Sequence, residues 1–195
     1  MNNKGLVASL LVSAVTVGLA VSSPGQAHGD QGQGQGHGNG NSQKLHGGEL
    51  VRVVRESTRR FRDVNQAGAE GYQLMFGCVS GPDDGAMGLH YVNMELVIDP
   101  ALDPRKPEIV IYEPLPNGGR KLIGADFLVF AEAWHANNTA TPELGGQLMH
   151  LIESPNRYGL PAFYTLHVWA WKPNPTGAFV NWHTDVSCEQ FDGAQ

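Results

Sequence analysis

Along residues 48–66 the apolar positions Leu50, Val54, Phe61 and Val64 fall on one face at helical spacing, while Arg55, Arg59 and Arg62 lie elsewhere around the cylinder. That period predicts an amphipathic helix, stopped by Gly68 and Gly71. From Tyr72 onward the texture changes to short apolar and β-branched runs separated by glycine, proline, asparagine and aspartate, which is how strands are punctuated. Strands are expected over residues 72–79, 89–97, 108–113, 121–130, 147–153, 163–171 and 178–182. The segment IVIYEPLPNGGRKLIGADFLVF reads as a hairpin, with Asn117, Gly118 and Gly119 supplying the positive-φ turn positions. Residues 133–146 read as an exposed loop with one helical turn. One helix followed by antiparallel strands defines an α+β domain: an N-terminal amphipathic helix packed on a curved antiparallel sheet or half-barrel.

The chain ahead of that domain has a different pattern. Lys4 precedes a mainly apolar run over residues 6–21 that no charged residue interrupts, and Ser22, Ser23, Pro24, Gly25 and Ala27 follow it. This is the layout of a secretory signal over residues 1–27, too short to span a bilayer as an anchor. Residues 28–47, HGDQGQGQGHGNGNSQKLHG, alternate glycine with polar side chains and cannot offset their ordering entropy, so a disordered tail is expected there. Its histidines could capture metals weakly, although a spacer is the plainer reading. Residues 48–195 then form one globular domain, secreted or periplasmic, with no membrane anchor.

Charge and cysteines narrow the picture. The full chain of 195 residues carries a formal charge of −6, and loss of Lys4 with the leader makes it −7, which argues against a nucleic-acid partner. Nothing in the sequence sets the oligomeric state. The two cysteines, Cys78 and Cys188, most simply oxidise to each other in an exported protein. A redox pair or two metal thiolates compete with that reading, but the wide separation lacks any C-x-x-C spacing.

Four segments, STRRFRDVNQAGAEGY, GCVSGPDDGAMGLHYVN, PEIVIYEP and YTLHVWAWKPNPTGAFVNWHTDVSC, together resemble a group of secreted bacterial proteins of uncharacterised activity. The likeness covers residues 57–188, implies a single domain and supplies no catalytic residue. It implies an Asn-Pro pair after the last tryptophan, whereas His183 and Thr184 follow Trp182 here; His183 is thereby left outside any site that the group shares.

Standard catalytic signatures are absent: there is no H-E-x-x-H, no G-x-S-x-G, no P-loop and no G-x-G-x-x-G after a strand. A cupin-like reading of GLHYVNME offers only His90 with Glu95. What remains is a set of ionisable residues inside apolar strand runs, where each must find a partner. His90, Glu113 and His167 are such residues, and two imidazoles with one carboxylate suit a divalent transition metal such as zinc, copper or iron with an open position. The expected site brings these three together in a cavity lined by Tyr91, Trp169 and Trp171. Asp83, Asp84 and Asp126 are further candidates, the first two being better explained as turn formers. The plainer alternative is that each histidine bonds a nearby carbonyl or carboxylate. The aromatic residues Phe163, Tyr164, Trp169, Trp171, Phe179 and Trp182 also suit a small-ligand pocket, which keeps a non-catalytic binder or a structural envelope module in view.

Overall fold

The computed structural model describes residues 47–81 and 83–193. The leader over residues 1–27 and the tail over 28–47, apart from Gly47, lie outside the described residues. The helical stretch is divided: α1 (Gly47–Thr58), a 3-10 turn (Arg59–Arg62) and α2 (Val64–Ala69). The sequence pattern predicts one helix through this region, and local hydrogen bonding explains the break. The Ser57 and Thr58 hydroxyls both donate to the Val54 carbonyl, and such back-bonding bends helices. Asp63 then starts α2 by accepting from the Asn65 N–H.

The strands follow as β1 (Tyr72–Ser80), β2 (Ala86–Asn93), β3 (Ile109–Pro114), β4 (Arg120–Phe130), β5 (Glu143–Leu144), β6 (Gln147–Leu148), β7 (His150–Ile152) and β8 (Phe163–Val168). Two further helical turns are α3 (Met94–Val97), after β2, and α4 (Ala131–His135), after β4. The fold is α+β: six strands form one open antiparallel sheet in the order β1-β2-β3-β4-β8-β7, and β5 and β6 pair separately.

Several boundaries differ from expectation for local reasons. The strand expected over 89–97 ends at Asn93, whose side chain accepts from the N–H groups of Glu95 and Leu96 and so caps α3. The strand expected over 147–153 is split, and β8 stops at Val168 rather than reaching Trp171. Residues 178–182 form no strand; an isolated bridge joins Ala86 to His183 just beyond them. The β3–β4 hairpin forms, but only Gly118 of its three turn candidates has positive φ, while the Asn117 side chain accepts from the Gly119 N–H.

Strand alternation sends successive side chains to opposite sides of the sheet. From β4 and β8, Ala125, Phe127, Val129, Tyr164, Leu166 and Val168 join Leu50 and Val54 of α1 in one buried cluster. Two further bonds fasten the helix there: Arg55 Nε donates to the Ala170 carbonyl and Trp171 Nε1 to Thr58 Oγ1. Of the arginines placed elsewhere around the cylinder, Arg55 is thus tied to the sheet and Arg62 lies over the Trp171 ring, while Arg52 pairs with Glu49 and Glu56 and Arg60 with Glu70.

A disulfide joins Cys78, near the end of β1, to Cys188 in the C-terminal segment. Just before it, β1 pairing with β2 shifts between Met75 and Cys78, leaving Phe76 and Gly77 in a bulge, both at positive φ. No helix among the described residues is long and apolar enough to cross a membrane.

Candidate metal centre

The register of the four central strands assembles the site. Asp126 of β4 stands opposite His167 of β8 and also opposite Ile109 of β3, which in turn faces Val92 of β2. His90, two residues before Val92, therefore projects to the same side as Asp126 and His167, the side away from α1. These three residues each offer a ligand atom, and those atoms all lie within 4.8 Å of one another. None of the three residues is more than 7% exposed. The imidazoles of His90 and His167 meet edge to face with centroids 5.9 Å apart, and His167 Nδ1 lies 3.6 Å from Asp126 Oδ1.

Each side chain is oriented by a neighbour or left with spare lone pairs. His90 Nδ1 lies 3.2 Å from the Gly88 carbonyl. A carbonyl can only accept, so the proton sits on Nδ1 and Nε2 keeps its lone pair, the arrangement that presents a neutral imidazole to a metal. Asp126 Oδ1 accepts from the Thr165 hydroxyl at 2.6 Å. Neither ring nitrogen of His167 has a hydrogen-bond partner among the described residues, and Asn181 Oδ1 is likewise unpaired.

Burial dominates the protonation of all three groups. It pushes Asp126 up to about 6, against the Thr165 hydrogen bond, the nearby His90 and the N–H groups of Leu166 and Phe127. It drives His90 down to about 4, with His167 adding to the shift, and His167 down to about 3, with His150 adding and Asn181 opposing. At neutral pH the cluster is one carboxylate with two uncharged imidazoles. It has lone pairs to give and too few protons to share.

A cavity of about 40 Å³ opens against this cluster. His90, Asp126, Thr165, His167 and Asn181 form its polar side, and Phe76, Met87, Leu128, Tyr158 and Phe163 are among its apolar walls.

The structure thus brings together His90 and His167 and places Asp126, not Glu113, as their carboxylate. Glu113 binds Lys172, Oε1 to Nζ at 2.5 Å, at the end of β3. Asp126 carries the same sequence signal as the histidines, an ionisable residue within an apolar strand, whereas Glu113 sits at a strand end that a lysine can reach. The expected walls also change. Tyr91 points to the other side of the sheet and packs on Tyr112, Trp171 turns toward α1, and neither lines the cavity. Trp169 does not line the cavity either: it lies against the His167 ring, centroids 5.7 Å apart, and donates its indole N–H to the Val180 carbonyl. Asp83 and Asp84 stand apart from the cluster, in the β1–β2 connection.

Comparison with protein-family models, with curated proteins and with solved structures finds no match.

Proposed function

We propose that this chain is an exported protein, secreted or periplasmic, that holds a divalent transition metal on His90, Asp126 and His167. The observation that carries the reading is the convergence of three buried ligand atoms from β2, β4 and β8 with a surplus of lone pairs. Two nitrogens and one oxygen form a borderline donor set that suits iron, zinc or copper. At bond lengths of about 2.0–2.2 Å, tetrahedral ligands stand roughly 3.3–3.6 Å apart. The 3.6 Å between His167 and Asp126 is already at that span.

Sheet geometry supports the same reading. β2 and β8 are three strand steps apart, about 14 Å on a flat sheet, yet the two imidazole rings are centred 5.9 Å from each other. A sheet bent toward this side accounts for the difference, and the irregularity between β3 and β4 lies within that span. Export is supported by the apolar leader and by the disulfide, a bond that persists in oxidising compartments. The likeness to secreted bacterial proteins belongs to the same proposal.

Elemental analysis and metal titration of the mature protein, with and without residues 28–46, test the proposal. One equivalent of metal is expected in both forms and is expected to disappear in Asp126→Asn. Metal retained in that variant but lost with the tail would place binding on the tail histidines and leave the buried cluster as a structural device. In the absence of metal from every form, the apolar cavity would favour a non-catalytic small-ligand binder.

A further inference from the structure

The cavity beside the cluster limits what a metal held there can bind. A water molecule needs at least about 10–15 Å³ of such space, so about 40 Å³ beside the cluster suits a body of roughly three or four heavy atoms. Pockets for larger organic ligands run to roughly 300–1,000 Å³. Away from the three ligands the walls carry no charged side chain: they are apolar except for Tyr158, Thr165 and Asn181, which are neutral. A cation would be desolvated there without a partner.

The entrance has its own peculiarity. Phe76 is the one non-glycine residue with positive φ among the described residues, at 66°, a conformation disfavoured for a residue with a Cβ. The residue is 38% exposed, lines the cavity and meets Tyr158 edge to face with centroids 5.7 Å apart. The Tyr158 hydroxyl in turn donates to Met87 Sδ at 3.7 Å. A phenylalanine is thus held in a disfavoured backbone state, half in solvent and half over the cavity, beside the disulfide that anchors its bulge.

Resting on the metal reading, we propose that the open coordination position takes a small ligand of the dioxygen size class, and that Phe76 and Tyr158 form the gate that keeps larger donors out. The step is reversible coordination: one bond forms between the ligand and the metal, and no group is oxidised or transferred.

The test uses the full mature chain loaded anaerobically with ferrous iron, nitric oxide as the small neutral probe and imidazole as the larger neutral donor. Iron content after desalting is measured throughout. The paramagnetic resonance signal of a high-spin ferrous nitrosyl is expected on adding nitric oxide, and millimolar imidazole is expected to leave it unchanged. Phe76→Gly suits the positive φ and so keeps the fold. There, imidazole is expected to suppress the nitrosyl signal, lowering the apparent nitric oxide affinity by roughly tenfold. Failure to bind iron at all overturns both the metal reading and this inference. Bound iron with no nitrosyl overturns the inference alone, and so does suppression by imidazole that is equal in wild type and Phe76→Gly.

Discussion

The two sides of β4 and β8 are equally dry and chemically opposite. Toward α1 the strands present Ala125, Phe127, Val129, Tyr164, Leu166 and Val168, and the helix adds Leu50 and Val54. One residue along, the same strands present Asp126, Leu128, Thr165 and His167, also buried. On the first side, close packing recovers the cost of ordering the chain. On the second, a carboxylate and imidazoles are removed from water without a full set of partners, and a cavity takes the place of a packed layer. Burial alone therefore does not distinguish core from site; the difference lies in what the buried atoms have to bond with.

The largest expected effect comes from cutting into the packed side. Phe127→Ala should cost about 3–5 kcal/mol by chemical denaturation, as large-to-small core changes do, while metal stoichiometry per folded molecule stays the same. A loss of metal in that variant would show that the two sides are not separable.

On the other side, Asp126→Asn should lower metal affinity by roughly a hundredfold or more, about 2.7 kcal/mol, since it removes a direct ligand. Apo-protein stability should move the opposite way at pH 7. The Asp126 carboxyl, held at about 6, is ionised there at a cost, and replacing it with a neutral group returns up to about 3 kcal/mol. Denaturation of the metal-free variant checks the sign.

Glu108 sharpens the contrast by placing a titrating acid outside the cluster. It is buried, accepts the Leu128 N–H at Oε2, and is pushed up to about 8, first by burial. Its folded value exceeds its unfolded one, so its contribution is fully present below about 4.5 and is lost as pH rises through about 8. Asp126 has the same sign over a lower window, about 4 to 6, while His90 and His167 cost stability only as pH falls below about 6.5. Metal-free wild type should therefore lose about 2 kcal/mol between pH 6.5 and 8, a slope that Glu108→Gln removes. The smallest effect is expected from Thr165→Val, which deletes the hydroxyl bound to Asp126 and should weaken metal binding by roughly tenfold in a titration.

Much of the fold can be read from the sequence because periodicity and turn chemistry are local. The β3–β4 hairpin, the strand positions through β4 and the amphipathic stripe of α1 follow from short-range patterns, and the disulfide partners from there being two cysteines. Side-chain to backbone bonds and strand pairing escape such reading. The helix divides where two hydroxyls turn back to Val54, and β2 ends where Asn93 caps a turn; both bonds are local but leave the apolar period unchanged. At the site, His90 and His167 carry a signal in their apolar surroundings, and Asp126 carries the same signal in GADFLVF. Choosing between Asp126 and Glu113 requires the register, which places Asp126 opposite His167 and lets Lys172 claim Glu113. Tyr91 and Trp171 are reassigned for the same reason: the face that a side chain occupies depends on pairing and on where β8 stops.

The bond between Cys78 and Cys188 closes a loop spanning 110 positions, and His90, Asp126 and His167 all lie within it. One cut by a protease in an exposed connection, such as residues 136–141 after α4, would leave two pieces still joined by a covalent link. Both pieces would keep their strands of the sheet, with His90 and Asp126 on one and His167 on the other. In surroundings rich in proteases, the three ligands would stay on one molecule until the chain was cut again or the disulfide reduced.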